Sequence, residues 1–254
     1  MERSVLILKD IKENILSKIP AETRNDLEED IRSIEEKINL HQGVFRCNAC
    51  ELRKTCKQPT SGIGPIPSDI MFVGEAPGEE EDLKGAPFVG PAGRLLTKAI
   101  ESVGWNRNDF YITNVVKCRP PYNRTPTLAE ASVCYQHLKK EIELVNPKVI
   151  ICLGSVAANF LIHPDFKITK ENGQWFEKDG IRYIAVYHPS YLLRLGDRTE
   201  QQKKAKWEVY HAFQKVKQFQ ESGFASSDSF KKYLAFLLTS INFKQSEVKS
   251  CGLS

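Results

Sequence analysis

An α/β fold with a central parallel four-stranded sheet flanked by helices is predicted by two features of the chain. Four short β-rich runs alternate with helical patterns, as a parallel sheet covered on both faces requires. The first and third runs are also continuously apolar, the mark of strands buried on both sides. In order, the runs are DIMFVG (69–74), FYITNVV (110–116), KVIICLG (148–154) and RYIAVYH (182–188). Helical stretches fall near residues 92–103, 129–145 and 155–162, and Gly104, Asn146-Pro147 and Gly173 supply the breaks.

Helical extensions are expected at both ends. Leu27, Ile31, Ile34 and Ile38 recur at spacings of four, three and four, forming one apolar stripe among charges. Pro20 separates this helix from an earlier apolar segment, Val5 to Ile19, and Gly43 is a plausible stop. After Arg198 the chain turns helical as far as about Gln220 and trails into a weaker helical tail. The expected organisation is therefore an N-terminal extension (1–42), an α/β domain (43–200) and a C-terminal extension (201–254).

Composition narrows the class. Of 254 residues, 41% are hydrophobic and 27% charged, as in a globular protein. No apolar run approaches the about 18–20 residues of a membrane span, and no signal-peptide pattern opens the chain, so a cytoplasmic or nucleoid-associated protein is expected. The formal net charge is +4; the first 46 residues hold eight Lys/Arg against ten Asp/Glu, so the remainder carries +6. Such a surplus is compatible with a polyanionic partner.

Glu75, Asn114, Gly154 and His188 fall at or just past the carboxyl ends of the predicted strands. In an open α/β sheet those ends share one edge, where ligands bind, so distant residues are expected to meet in one cleft. The loop after the first strand, GEAPGEEEDLKGAPFVGPAG, places Glu75 immediately past the strand and Phe88 between two Gly/Pro turns. Glu79, Glu80 and Asp82 are read as solvated charge at a helix start.

Seven cysteines are more consistent with ligands or core residues than with disulfides. Cys47 and Cys50 form a C-x2-C claw, which Cys118 and Cys134 complete if the fold returns them to it; spacing alone permits zinc or an iron–sulfur cluster. Cys56 reads as a bystander and Cys152, inside VIICLG, as core. Cys251 opens CGLS, a poor match to a lipidation signal.

GEAPGEEED, PFVGPAGRLL, YITNVVKCRPPYNR and HPSYLL, in this order and spacing, resemble the family 4 uracil-DNA glycosylases, the iron–sulfur branch of their superfamily, over about residues 44–200. The resemblance implies a monofunctional enzyme that hydrolyses the N-glycosidic bond of uracil in DNA for base excision repair. It implies a [4Fe-4S] cluster on Cys47, Cys50, Cys118 and Cys134 that clamps loops beside the DNA. It implies catalytic roles for Glu75, at the water and the positive sugar, and for His188, at the uracil oxygen O2. Phe88 would stack on the extruded base, Asn114 would read its edge, and Ala76 and Glu81 would shape the pocket, Glu81 against the thymine methyl. Ser190, Leu192, Leu193 and Arg194 would contact DNA, a leucine acting as wedge. The cross-linking branch of the superfamily carries a basic insertion ending in histidine after the Asn strand; CRPPYNRTPT has neither.

Two alternatives accompany this reading. One is a glycosylase of the same scaffold acting on another deaminated or modified base. The other is a non-catalytic DNA-binding accessory, motivated by the helical arms. The segment from Arg194 to Lys232 has nine basic residues against five acidic and is a candidate for docking a replication or repair protein.

Overall fold

A computed structural model describes Arg32 and residues 35–223 of the protein. The segment Val5 to Ile19, the stripe residues Leu27, Ile31 and Ile34, Cys251 and the tail after residue 223 lie outside the described residues. Two compact units divide between Ala212 and Phe213.

Helix α1 covers residues 35–45 and runs through Gly43 instead of stopping there. Leu40 and Val44, one turn apart and buried, carry it past the glycine. A short α2 (Leu52–Thr55) follows the C-x2-C pair. The sheet strands are β1 (Ile70–Gly74), β2 (Tyr111–Asn114), β3 (Val149–Leu153), β4 (Trp175–Lys178) and β5 (Ile181–Val186). Between and after them lie α3 (Glu79–Lys84), α4 (Pro91–Ser102), α5 (Leu128–Val145), α6 (Ser155–Leu161), α7 (Ile168–Glu171), α8 (Pro189–Arg194) and α9 (Glu200–Gly223).

The four predicted strands form the parallel part of the sheet, and every residue of β1, β2 and β3 is buried. The strand order is β2-β1-β3-β5-β4. The fifth strand, β4, was not expected from the sequence; it pairs antiparallel to β5 at the edge. Its hairpin turn is Asp179-Gly180, with φ of 54° and 76°, the two-residue left-handed turn that Asp-Gly favours. Half of β4 is exposed, which erased the apolar signal of the inner strands.

Register fixes the carboxyl edge. Gly74 lies opposite Asn114, and Leu153 opposite Val186. The chain leaves β1 toward β2 and returns beyond β1 to β3, so the topological switch point lies between β1 and β3. That is where such a sheet opens a binding crevice.

Helix ends are set by local chemistry. Thr127 caps α5, its hydroxyl accepting the Glu130 N–H while the Glu130 carboxylate accepts the Thr127 N–H. Pro91 begins α4 at the position where proline's missing N–H costs nothing. Asn146, in the left-handed region at φ 48°, ends α5.

Candidate active site

A cavity of about 490 Å³ opens at the switch point. Glu75, Ala76, Pro77 and Gly78 line it after β1, Phe88 comes from the next loop, and Asn114 from the end of β2. His188, Ser190, Tyr191 and Arg194 enter from α8, and Pro120, Asn123, Arg124 and Thr125 from the segment before α5. Residues separated by more than a hundred positions thus converge as strand-end placement predicts.

Asn114 is 2% exposed, and its Oδ1 has no hydrogen-bond partner among the described residues. A buried amide oxygen left unpaired costs about 1–3 kcal/mol unless a ligand donor meets it. Gly74 permits this placement: a Cβ there would lie 2.4 Å from both Asn114 Oδ1 and the Phe88 ring. Only glycine lets amide, ring and β1 approach so closely.

Behind Asn114 stands a buried ion pair that sequence reading missed. Lys117 Nζ donates to the Asn114 carbonyl (2.8 Å), to Thr113 Oγ1 (2.7 Å) and to Glu141 Oε2 (2.5 Å). Glu141 also accepts from Thr113 Oγ1 at 2.8 Å and from the Gly62 N–H at 2.9 Å. Both charged side chains are at most 2% exposed. The signal was present: Glu141 sits on the inward stripe of α5 with Ala131, Cys134, Leu138 and Val145. A charge on an apolar stripe demands a partner.

Phe88 is buried and left-handed at φ 54°. Two side chains of opposite charge hold its loop. Arg107 donates to the carbonyls of Pro87 (3.1 Å) and Phe88 (2.9 Å), while Glu81 Oε1 accepts the N–H groups of Val89 (2.9 Å) and Gly90 (2.7 Å). Glu81 Oε2 also accepts the Gly78 N–H at 3.1 Å. Glu81 lines the cavity as expected, and its carboxylate ties the Glu75 turn to the Phe88 loop. Arg107, in a single 3-10 turn, left no motif by which to find it.

His188 caps α8. Its Nδ1 accepts the Ser190 N–H at 3.1 Å and lies 2.8 Å from Ser190 Oγ. Since the backbone N–H can only donate, Nδ1 is the bare nitrogen and Nε2 carries the proton. Burial, aided by the Arg194 charge, pushes the imidazole pKa down to about 4. His188 is therefore neutral near pH 7 and still a donor. Its ring centroid lies 5.9 Å from that of Phe88. The Glu75 carboxyl is raised above its usual value, chiefly by burial, against the opposing pull of a Thr125 hydrogen bond and the Arg194 charge.

Two readings need correction. Leu192 is buried at 3% exposure, its carbonyl bonded by Gln202 Nε2 at 2.9 Å, so it packs in the core; Leu193, 42% exposed, is the residue free to wedge. Asp82 is not solvated: it is 3% exposed and accepts the Lys57 (2.9 Å) and Gln58 (3.3 Å) N–H groups. Cys56 is buried and adjoins Cys118, whose thiol it raises. Cys152 is fully buried in β3, as expected.

The remaining cysteines gather between α2, the loop after β2, and α5. The Cys118 thiol is raised by its bond to Cys56, by burial, and by the nearby Cys134 and Cys50. Cys134 is raised to about 11, mainly by burial, with Cys50 and Cys47 adding to the effect, and its sulfur accepts the Lys117 N–H at 3.3 Å. Among the described residues no three His, Cys, Asp or Glu side chains are already grouped as metal ligands. The donors are nonetheless all thiols within electrostatic reach of one another, a set that suits an iron–sulfur cluster or zinc.

The fold and cleft define a mostly parallel α/β protein whose cavity lies at the carboxyl edge of the sheet. The family model of the uracil DNA glycosylase superfamily matches residues 61–214. The type-4 uracil-DNA glycosylase of Archaeoglobus fulgidus is 44% identical over 160 residues, covering 59% of this chain and 79% of that protein. Those of Thermotoga maritima and Pyrobaculum aerophilum are each 46% identical, covering 61% of this chain and 82% and 83% of theirs. The chain belongs to the uracil DNA glycosylase superfamily and, within it, to the type-4 enzymes.

Proposed function

We infer that the cleft flanked by Glu75, Asn114 and His188 hydrolyses the N-glycosidic bond of uracil in DNA, as the first step of base excision repair. The observation that carries the reading is the buried, unpartnered Asn114 Oδ1 at the cavity wall. Uracil offers N3–H to that oxygen and O4 to the amide N–H; cytosine offers an acceptor and an amine and leaves both mismatched. The base must first be flipped from the stack, at a cost of a few kcal/mol, before any side chain reaches its glycosidic bond.

In the chemical step the C1′–N1 bond breaks, and uracil departs as an anion with charge on O2. The His188 Nε2–H donates to O2, with its tautomer fixed by the Ser190 N–H. Because the imidazole is neutral, it stabilises developing charge without having to lose a proton. The Glu75 carboxylate orients water toward C1′, accepts a proton as the C1′–O bond forms, and offsets the positive charge on the sugar. Phe88 stacks on the extruded ring, while Ala76 and Glu81 bound it. Ser190, Leu193 and Arg194 hold the DNA. Cys47, Cys50, Cys118 and Cys134 hold a [4Fe-4S] cluster, which supplies structural clamping of the loops before α2 and after β2 and no step of the hydrolysis. The arms at 1–42 and 201–254 are left for a replication or repair partner, since the family match ends within the second of them.

Release of base from oligonucleotides carrying a single uracil, cytosine, thymine or hypoxanthine tests the substrate. Uracil should be released at least about thirtyfold faster than cytosine, given about 1–3 kcal/mol for each of two mismatched buried polar groups. Excision of another base with uracil left in place would refute it.

A further inference from the structure

Tyr122 is the most exposed large apolar residue among the described residues, at 99%, and its backbone is left-handed with φ 55° and ψ 22°. Asn123 follows at φ 55°. Asparagine tolerates that region; a bulky aromatic rarely occupies it and does so against steric resistance. A tyrosine held in an unfavourable conformation while touching almost nothing among the described residues gains nothing for the packing of this fold, so its use lies outside it.

The surrounding loop is built to keep it there. Pro120 and Pro121 stiffen the approach, and Asn123 and Arg124 return N–H bonds to their carbonyls at 3.1 Å each. Arg119 Nε donates to Asn123 Oδ1 at 2.8 Å, and Arg124 forks onto Glu130 at 2.6 and 2.8 Å. The same loop meets the reaction centre, because the Thr125 side chain hydrogen-bonds Glu75. Pro120, Asn123 and Arg124 line one wall of the cavity, and Tyr191 and Arg194 line another. Leu193, on the α8 side, is also exposed, at 42%.

We propose that Tyr122 stacks on a nucleobase next to the flipped uridine, as a second point of grip beside the α8 segment that carries Leu193. The occupant is the DNA strand that enters the cleft: every nucleobase has a π-face for the ring. This rests on the cleft being the base pocket.

The test uses the full chain and a duplex carrying non-cleavable 2′-fluoro-deoxyuridine with 2-aminopurine as its neighbour. Tyr122→Ala should raise the dissociation constant about tenfold. It should also leave 2-aminopurine brighter than in the wild-type complex, because an unstacked purine emits more. Tyr122→Phe keeps the ring and should match the wild type in both. Tyr122→Gly fits the left-handed backbone, so it should melt no lower than the wild type while binding as weakly as the alanine variant. Equal affinity or equal emission for wild type and Tyr122→Ala overturns the proposal, as does wild-type binding by Tyr122→Gly. Both readouts report binding and not base release, so they decide the role of Tyr122 even if the wild type frees no uracil, a result that would count against the substrate instead.

Discussion

At His188 the location of one proton determines what the side chain can do. The Ser190 N–H occupies Nδ1, and burial keeps the ring neutral with a pKa of about 4, so Nε2–H remains a donor far below the range where an ordinary histidine titrates. Uracil release should therefore stay level through about pH 6–7. It should then fall on an acid limb that belongs to Glu75, displaced by burial above the ordinary 4.5. Glu75→Gln should remove that limb and lower the plateau; a limb near pH 6.5 that survives in Glu75→Gln would assign it to His188. The sign for stability follows from the same shift. The unfolded chain binds a proton that folded His188 refuses, so stability is lost as pH falls from about 6.5 toward about 4 and is fully present above that window. The strand-end positions of Glu75, Asn114 and His188 were legible in the sequence because sheet topology places such residues together. The role of Arg107 was not, because it acts on backbone carbonyls, which carry no residue signature, and Lys117 was signalled only through Glu141, a charge on an apolar stripe.

Among the elements, β2 and α5 are joined by the Lys117–Glu141 pair, and that pair sets the peptide that bears Asn114. Removing one charge leaves the other buried and unpaired. Lys117→Met should cost about 3–5 kcal/mol of stability, whereas Lys117→Met combined with Glu141→Leu should recover most of it. The double variant should still excise uracil poorly, since the Asn114 carbonyl has lost its anchor. A stable double variant with wild-type excision would restrict the pair to folding alone. Chemical denaturation beside single-turnover excision reads both quantities. The strands themselves were legible wherever they are buried on both sides; β4 escaped because half of it faces solvent, although its Asp179-Gly180 turn is a hairpin signal in plain view.

For the molecule as a whole, the sheet order gathers the strand-end contributors to the cleft on one edge, and Cys118 follows β2 while Cys134 sits on α5. Lys117 donates its N–H to Cys134 and its ammonium to the Asn114 carbonyl, so Cys134 and Asn114 are joined through one residue. The purified protein should show broad absorption at about 400 nm, expected of iron–sulfur charge transfer. Cys118→Ser and Cys134→Ser should lose it, and Cys56→Ser should keep it. A wild type carrying iron but unaffected by the Cys118 and Cys134 changes would remove those residues from the ligand set. The cysteine spacing was legible as a metal claw, but the contact between Cys56 and Cys118 was not, because it depends on how α2 meets the loop after β2.

The most direct test of the shared pocket is single-turnover uracil release at saturating enzyme by the wild type and by Glu75→Ala, Asn114→Ala and His188→Ala. Convergence of the three on one base predicts that each variant still binds uracil-containing DNA but releases uracil at least about a hundredfold more slowly, the loss typical when one preorganised donor or base is removed. Wild-type release rates in any two of them would contradict it.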